Sequence, residues 1–426
     1  MSVVLAADSA STVSYYENGE RHQRYFKGAN KVFQLSDLHP IGLMIYGNAE
    51  IMGVPWELVI KAFRKHLSDS SFDSVQGYAK AFEQFLNDNH QFFPASARQE
   101  NFTNSVAIET AISCKEFNER LEDDAEFDEE GHIQFLEGKV EALAFTNGLD
   151  NDFIAEILNE TPSHVLQQMR ADDGFPYLED RTDDQLLKLI SLHIKLKAKQ
   201  LPESSTGLVF AGFGNASIYP EAFAAKSTGF IANRLVMADE QVTQISHENN
   251  SYISGFAQSS MADTFIVGFD AQAYSTIQEI QRSSLPDMLA PFVAKLGGAI
   301  ERTDTGNALK DASGQIIVDE RDFEQLTQTV LRPVGSQILD ESRQKHGAPL
   351  ERVISMLPVE EMAELAATMI DLQSLKEKVT RPSETVGGPV DVAIITKNEG
   401  LVWKKRKHFF DIDLNQRYLR RLHSKD

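Results

Sequence analysis

Short apolar runs near the N-terminus predict β-strands. Residues 3–7 (VVLAA) are apolar without alternation, a pattern typical of a strand that is buried on both faces. Residues 31–35 (KVFQL) alternate between polar and apolar, and residues 40–46 (PIGLMIY) form another apolar run that stops at Gly47. The start of the chain therefore predicts three strands.

The spacing of apolar residues then changes to that of helices. Pro55 stands where a helix can begin. The apolar side chains that follow it have helical spacing: Trp56, Val59, Ile60, Phe63 and Leu67. A second helix is predicted from Asp73 to Asn87, with aromatic and apolar side chains on one face.

Residues 96–202 are mainly helical in pattern. Residues 96–115 are ambiguous, because FTNSVAIETAIS within them would also suit a strand. The clearest helix begins at Thr182, whose side chain can cap it, and ends before Pro202. His193 lies within the apolar pattern of this helix, and we interpret it as a packed histidine rather than a ligand.

A further change of pattern occurs at Thr206. Short runs punctuated by glycine and asparagine predict strands, namely GLVFAGFG, RLVMADEQVTQI, SYISGFAQ and TFIVGF. Helices are predicted again over 271–297, 321–345 and 349–378. The chain then closes on two strands, DVAIITK and GLVW, around a turn at 397–400. This order of strands and helices favours an α+β fold in which helices cover the outer faces of packed sheets.

Composition narrows the class of protein. At 426 residues, with 42% hydrophobic and 24% charged residues, the chain has the balance of a soluble globular protein with one large domain or two ordinary ones. No apolar run approaches the roughly 20 residues that cross a bilayer, and the N-terminus shows no secretory signal. The single cysteine, Cys114, excludes an internal disulfide and suits a reducing compartment. We therefore expect a cytoplasmic protein without membrane association.

The charge of the chain argues against nucleic acid as a partner and raises the alternative of contacts between subunits. The formal net charge of −22 argues against nucleic acid, whose phosphates attract lysine and arginine. Residues 119–130 carry eight acidic residues and one arginine, whereas residues 396–426 carry nine basic and four acidic ones. Both segments could simply be solvated. The alternative is that an acidic face and the basic tail meet across the subunits of a homo-oligomer.

The sequence contains no recognisable motif for binding a metal or a cofactor. The chain contains no GxxxxGK[ST], HExxH or GxSxG, and no GxGxxG follows a predicted strand. The eleven histidines are scattered, without an i, i+4 pair on a clear helix. We therefore expect neither a metal nor a cofactor.

Three stretches resemble proteasome β-subunits and their bacterial relatives, which are N-terminal-nucleophile (Ntn) hydrolases. These are VVLAADSAST at 3–12, NKVFQL followed by IGLMIYGNAEIMG within 30–53, and ETVGGPVDVAIITKNEGLVW at 384–403. Their order along the chain matches the family. The resemblance covers residues 1–90 and 205–410 and leaves the helical block between them as an insertion.

The resemblance implies a four-layer αββα sandwich. Residues 1–95 and 203–410 would form this discontinuous core, residues 96–202 a mainly helical insertion, and residues 411–426 a basic C-terminal tail. Because proteasome-like subunits assemble, the resemblance also implies a homo-oligomer. The insertion at 96–202 would be available to a protein partner.

The resemblance also implies site residues. In such enzymes an N-terminal threonine is both nucleophile and base, supported by an aspartate, a lysine and a backbone N–H that binds the oxyanion. Asp8 matches the aspartate, Lys31 the lysine that lowers the pKa of the nucleophile, and Gly47 the glycine that supplies the N–H. Taken singly, Asp8 could instead cap a turn, and Lys31 could be an ordinary surface or paired lysine.

Two features depart from the family pattern. The strand headed by threonine would lie upstream of VVLAAD, where this sequence has only Met1 and Ser2. Ser2 is six residues from Asp8 on one predicted strand, or about 20 Å at about 3.3 Å per residue, which argues against Ser2 as the nucleophile. The late supporting aspartate and serine of the family, read as D-x-x-S-G-G, are Ser383 and Val386 here, and by simple alignment Phe256 stands where a middle serine is expected after a glycine.

The sequence leads to two hypotheses. The first is a proteasome-like Ntn-hydrolase family protein, a peptidase or amidase by descent, whose catalysis is in doubt because the nucleophile strand is missing from this sequence. Either the gene product begins further upstream or the protein lacks that strand. The second hypothesis is a non-catalytic scaffold or partner-binding protein that uses the helical insertion. Whether the chain is an enzyme is left open.

Overall fold

The chain forms two compact units. Unit 1 comprises Met1–Ser246 and Gly388–Asp426, and unit 2 comprises His247–Gly387. The structure is a computed structural model. It describes residues 1–17, 20–123, 129–146, 148–171, 178, 181–200, 205–295, 299–303, 306–310, 313, 315–318, 321–322, 325, 327–380, 386–408, 410–411, 413–417 and 420.

The described residues contain both strands and helices. The strands are β1 Ser2–Ala7, β2 Ala10–Glu17, β3 Glu20–Lys27, β4 Val32–Gln34, β5 Ile41–Gly47, β6 Glu50–Ile51, β7 Val54–Pro55, β8 Thr206–Gly212, β9 Glu221–Ile231, β10 Arg234–Gln244, β11 Ala299–Thr303, β12 Gly306–Lys310, β13 Ile316–Val318, β14 Asp391–Thr396 and β15 Gly400–Lys405. The helices are α1 Trp56–Leu67, α2 Val75–Asp88, α3 Ala95–Asp123, α4 Glu129–Ala142, α5 Asn151–Ala171, α6 Asp183–Lys197, α7 Ser260–Val267, α8 Ala271–Lys295, α9 Arg332–Ser342, α10 Ala348–Ile354 and α11 Val359–Thr380. Among these helices, none combines the length and the apolar character that crossing a bilayer requires.

Two antiparallel sheets of unit 1 pack face to face. The first has the strand order β1-β14-β15, and the second has the order β10-β9-β8-β5-β4. Gly42 on β5 shows how closely the sheets approach, because a Cβ there would lie 2.9–3.0 Å from side-chain atoms of Leu5, Ile395 and Leu401. The strands predicted from VVLAA, KVFQL, PIGLMIY and DVAIITK are confirmed as β1, β4, β5 and β14.

Helices α1 and α2 pack on the five-stranded sheet and share its main hydrophobic core. Alternate residues of β5, namely Ile41, Leu43 and Ile45, join this core. Phe82 of α2 lies at its centre, with ring centroids 5.0 Å from that of Phe63 and 5.6 Å from that of Phe210. Both helices were predicted from the spacing of apolar residues, and both are confirmed.

The region predicted as a helical insertion contains α3 to α6. These helices share a second hydrophobic core, to which residues of β9 and β10 also contribute. The ambiguous stretch 96–115 lies within α3, where Phe102 and Val106 are buried one helical turn apart. Thr182 and Gln185 form a capping box at the start of α6, as the sequence predicts for Thr182.

A hairpin that was not predicted follows Asp8 directly. Strands β2 and β3 pair with each other, Ala10 opposite Lys27 and Glu17 opposite Glu20. This hairpin forms its own two-stranded sheet. Asp8 therefore lies at the junction between the sandwich and the hairpin.

Unit 2 contains α7 to α11, a three-stranded sheet of β11, β12 and β13, and two π-helical segments that flank α9. The predicted helix 271–297 corresponds to α8, the described part of 321–345 is helical, and the predicted helix 349–378 is divided into α10 and α11. Two predicted strands are wrong: SYISGFAQ forms no strand, and most of TFIVGF belongs to α7. The start of α7 is held by Gln373, whose side-chain oxygen accepts from the Met261 N–H at 2.9 Å. This tertiary contact favours helix where the local sequence favours strand.

The compact units differ from the predicted domains. We expected 203–410 to join 1–95 in one core, whereas residues 247–387 form unit 2. The helices of 96–202 belong to unit 1, because their core includes side chains of β9 and β10. The structure confirms the α+β class. Within unit 1 it shows a three-stranded sheet, a five-stranded sheet and a helical layer.

Candidate functional site

Asp8 and Lys31 form an ion pair in unit 1. Asp8 follows β1 and Lys31 precedes β4, and Lys31 Nζ lies 2.6 Å from Asp8 Oδ1. The other carboxylate oxygen accepts from the Ala10 N–H at 3.0 Å. The side chains are 12% exposed for Asp8 and 22% for Lys31, so solvent screens this pair less than a surface pair. The resemblance assigns the two residues to one site, and the structure brings them into contact.

Gly47 lies at the same end of the five-stranded sheet as Lys31. The Ile45 N–H donates to the Lys31 carbonyl at 2.8 Å, which places Gly47 two residues, or about 7 Å, further along β5. Gly47 has φ +79°, and a Cβ there would lie 2.3 Å from the Ser205 carbonyl oxygen. Only glycine fits this backbone without displacing its neighbour.

A buried hydroxyl anchors the turn after Gly47. Thr206 lies opposite Gly47 on β8 and is 2% exposed. Its Oγ1 accepts from the indole N–H of Trp56 at 3.0 Å and donates to the Asn48 carbonyl at 2.9 Å. This chain of hydrogen bonds fixes the position of the Gly47 backbone relative to α1.

A second ion pair, which sequence reasoning missed, lies beside the first. Asp391 begins β14 directly opposite Ala7, the residue before Asp8. Its two carboxylate oxygens accept from Lys407, one from the backbone N–H at 2.8 Å and the other from Nζ. Asp391 is 2% exposed. The available signal was an aspartate immediately before an apolar strand, with basic residues immediately after its hairpin partner.

Glu57 adds a further carboxylate to this part of unit 1. It accepts from the Asn30 side-chain amide at 3.0 Å and from Lys61 Nζ at 2.5 Å. Burial raises the pKa of Glu57, but the hydrogen bonds from Lys61 and Asn30 and the charges of Lys61 and Lys407 outweigh it, so its pKa is below the usual value. The carboxylate is thus held ionised next to the lysines of the site.

The nearby serines are not placed as nucleophiles for the Asp8–Lys31 pair. Ser9 is buried and donates its hydroxyl hydrogen to the Pro389 carbonyl at 2.5 Å. Ser2 stands at the opposite end of β1 from Asp8, opposite Thr396. This strand length corresponds to about 20 Å, as expected from the sequence.

The late positions that depart from the family pattern are not part of unit 1. Phe256 and Val386 belong to unit 2, and Val386 is buried at 8% exposure. Ser383 lies outside the described residues. Among the residues that the structure does describe, no three histidine, cysteine, aspartate or glutamate side chains come together as a metal site.

The pair can carry out a limited set of chemical tasks. A lysine ammonium next to a carboxylate can orient a hydroxyl and stabilise its ionised form, and a backbone N–H at a glycine can bind a developing oxyanion. Comparison with protein-family models, with curated proteins and with solved structures found no match. The roles of Asp8, Lys31 and Gly47 are therefore inferred from their contacts and from the sequence.

Proposed function

We propose that the chain is a proteasome-like Ntn-hydrolase family protein, a peptidase or amidase by descent, with a four-layer αββα core. The observation that carries the proposal is the 2.6 Å contact between Asp8 and Lys31, two residues that the resemblance assigns to one site. Gly47, at the same end of the sheet and in a conformation that requires glycine, supports it.

The proposed roles follow from charge and position. Lys31 would lower the pKa of a hydroxyl placed beside it, because a nearby positive charge favours the ionised form. Asp8 would hold Lys31 in place, and the backbone at Gly47 would face the tetrahedral intermediate. The Ser9 hydroxyl is not available for this purpose, because it donates to the Pro389 carbonyl. We therefore expect no threonine-type peptidase activity from the described residues alone.

Adding a nucleophile strand should create reactivity. Among the described residues β1 is an edge strand of its sheet, so a strand headed by threonine and joined ahead of Ser2 by an Asn-Gly turn can pair with it. With that threonine exposed as the first residue, we expect labelling by a peptide epoxyketone. Lys31→Met should slow the labelling at least about tenfold, because the charge that favours the ionised hydroxyl is lost. Mass spectrometry of the modified N-terminal peptide measures the rate.

Controls separate this proposal from a structural ion pair. Lys27→Met, at an exposed lysine, should leave the labelling rate unchanged. Hydrogen exchange must show that the added strand pairs with β1. Pairing without any labelling would contradict the proposed descent. Labelling of the unextended chain at Ser2, lost in Ser2→Ala, would contradict its expected inactivity.

The second candidate is a non-catalytic protein that assembles through the helices of 96–202. Ile108 and Ile112 favour it, because they lie one turn apart on α3 and are 52% and 50% exposed. Phe135 on α4 is also exposed, at 57%. Such side chains on a helical surface are typical of contacts between protein chains.

Assembly through this surface is testable by light scattering. We propose that the chain is a homo-oligomer and expect the double variant Ile108→Asp, Ile112→Asp to dissociate it, because each subunit would bury two unpaired charges. The matched control is Ile218→Asp, at an isoleucine that is 77% exposed and outside the helices. A wild-type chain that is monomeric at every concentration, including at low salt, would refute the oligomer.

A further inference from the structure

Two histidines are buried in the helical part of unit 1. His132 of α4 is 6% exposed and His193 of α6 is 8% exposed. His132 Nε2 lies 2.9 Å from the hydroxyl oxygen of Ser113 on α3. The Nε2 atom of His193 is buried without a hydrogen-bond partner among the described residues. Three helices thus meet around polar side chains inside an otherwise apolar core.

The charged groups around His193 are mostly positive. Burial is the largest cause that lowers the pKa of His193. The pKa is lowered further by Lys197 on the same helix and by His132 and Lys139 on α4, and together these causes bring it from 6.5 to about 4. Helix α3 contributes the acidic residue Glu109, whose Oε1 lies 2.5 Å from Lys197 Nζ.

Two further ion pairs lie on the packed elements. Glu137 of α4 pairs with Lys188 of α6 at 3.2 Å, and Arg170 at the end of α5 pairs with Asp183 at 2.9 Å. The buried face of α5 and the part of the five-stranded sheet that packs here are uncharged: Ile154, Ile157, Thr161, Val165, Met169, Ile231, Ala232 and Val236. The carboxylates of Glu109, Glu137 and Asp183 are thus each already paired with a lysine or an arginine.

Helix α4 is attached to its neighbours by a small buried apolar face and by polar contacts. Its buried apolar side chains are Ile133 and Leu136, while Phe135 faces solvent. Its polar contacts include the pair of Glu137 with Lys188, the contact of His132 with Ser113, and Lys199, whose Nζ donates to the Val140 carbonyl at 2.7 Å.

We propose that α4 is an acid-released clasp: protonation of His193 on α6 drives α4 away from α6 and exposes the apolar side chains between them. The released state lets His193 bind its proton in water. The sign follows from linkage. A histidine with a lowered pKa in the closed state favours that state fully above pH 6.5, and this preference is lost as the pH falls toward 4.

Hydrogen exchange on the full chain tests the clasp. The difference between a pKa of 6.5 and one of about 4 limits the increase in the ratio of open to closed α4 to about 300-fold, which is approached only below pH 4. Between pH 7 and pH 4.5 the same two values give an increase of about 60-fold. Peptides covering 129–142 should lose protection by up to this factor, after correction for the intrinsic pH dependence of exchange. Peptides of α1 and α2 should keep their protection.

Substitutions identify the group responsible. His193→Leu should abolish the acid-dependent loss of protection in α4. The matched control, His164→Leu at an exposed histidine of α5, should leave that loss intact. Loss of protection that persists at full size in His193→Leu would overturn the proposal, as would α4 protection that is equal at pH 7 and pH 4.5 in the wild type.

A measurement on the wild-type chain covers the case in which His193→Leu does not fold. In protein labelled at histidine Cε1, the NMR signal of His193 should stay that of a neutral ring until α4 opens. A His193 that titrates near pH 6.5 while α4 remains protected would overturn the proposal.

Discussion

Replacing Phe82 by alanine should lower the free energy of unfolding of unit 1 by about 3–5 kcal/mol. Phe82 is fully buried and meets Phe63 and Phe210 edge-on, with interplanar angles of 86° and 64°. These contacts join α2 to α1 and to the five-stranded sheet. Alanine would leave a cavity where these elements meet, and the surrounding backbone can close it only in part.

Trp56 provides the measurement. Its ring centroid lies 6.2 Å from that of Phe82, so its fluorescence reports on this core. Urea denaturation should be followed in a Trp403→Phe background, which removes the other tryptophan. Phe26→Ala, at a phenylalanine that is 53% exposed, should change stability by no more than about 0.5 kcal/mol. A loss below about 1 kcal/mol for Phe82→Ala would show that this aromatic cluster does not hold unit 1 together.

The segments that sequence predicts well have strong local signals. In β1 and β14 an apolar run ends at a polar residue or turn, and α1 combines Pro55 at its start with apolar side chains at helical spacing. Such segments need little help from the rest of the chain to adopt one structure, because propensity and burial agree.

Two parts of the fold were not predicted from the sequence, for different reasons. The stretch FTNSVAIETAIS is rich in residues that suit strands, yet it is helical because Phe102, Val106 and Ala107 reach the core of α3 to α6. The hairpin β2–β3 was missed although the sequence has Asn18-Gly19 between two runs of strand-like residues, a strong hairpin signal. In the α3 stretch tertiary packing overrides propensity, whereas for the hairpin the local sequence already carries the signal.

The residues of the candidate site were also predictable from the sequence only in part. Asp8, Lys31 and Gly47 could be proposed because their order resembles a known family. The pair of Asp391 and Lys407 could not, because it depends on the register that places Asp391 opposite Ala7 and on where the chain runs after β15. Register is a property of the assembled sheet and is not determined by either strand alone.

The contact of Asp391 with Lys407 should be essential to the end of the sandwich where the candidate site lies. Lys407→Met should cost about 3–5 kcal/mol of unfolding free energy, because it leaves the Asp391 carboxylate buried without its cationic partner. The double variant Asp391→Asn, Lys407→Met should recover part of this loss, since the buried charge is removed. Urea denaturation of the wild type, the two single variants and the double variant gives the coupling energy, which we expect at about 1–3 kcal/mol.

The same variants test whether this pair positions Asp8. Because Asp391 lies opposite Ala7, its loss of a partner should loosen the end of β1, and the Ala10 N–H that donates to Asp8 should exchange faster. Lys188→Met, which breaks the more exposed pair with Glu137, should cost no more than about 0.5 kcal/mol and leave Ala10 exchange unchanged. A Lys407→Met variant as stable as the wild type would show that Asp391 is solvated. A destabilised variant with unchanged Ala10 exchange would show that the second ion pair supports the sheet but not the site.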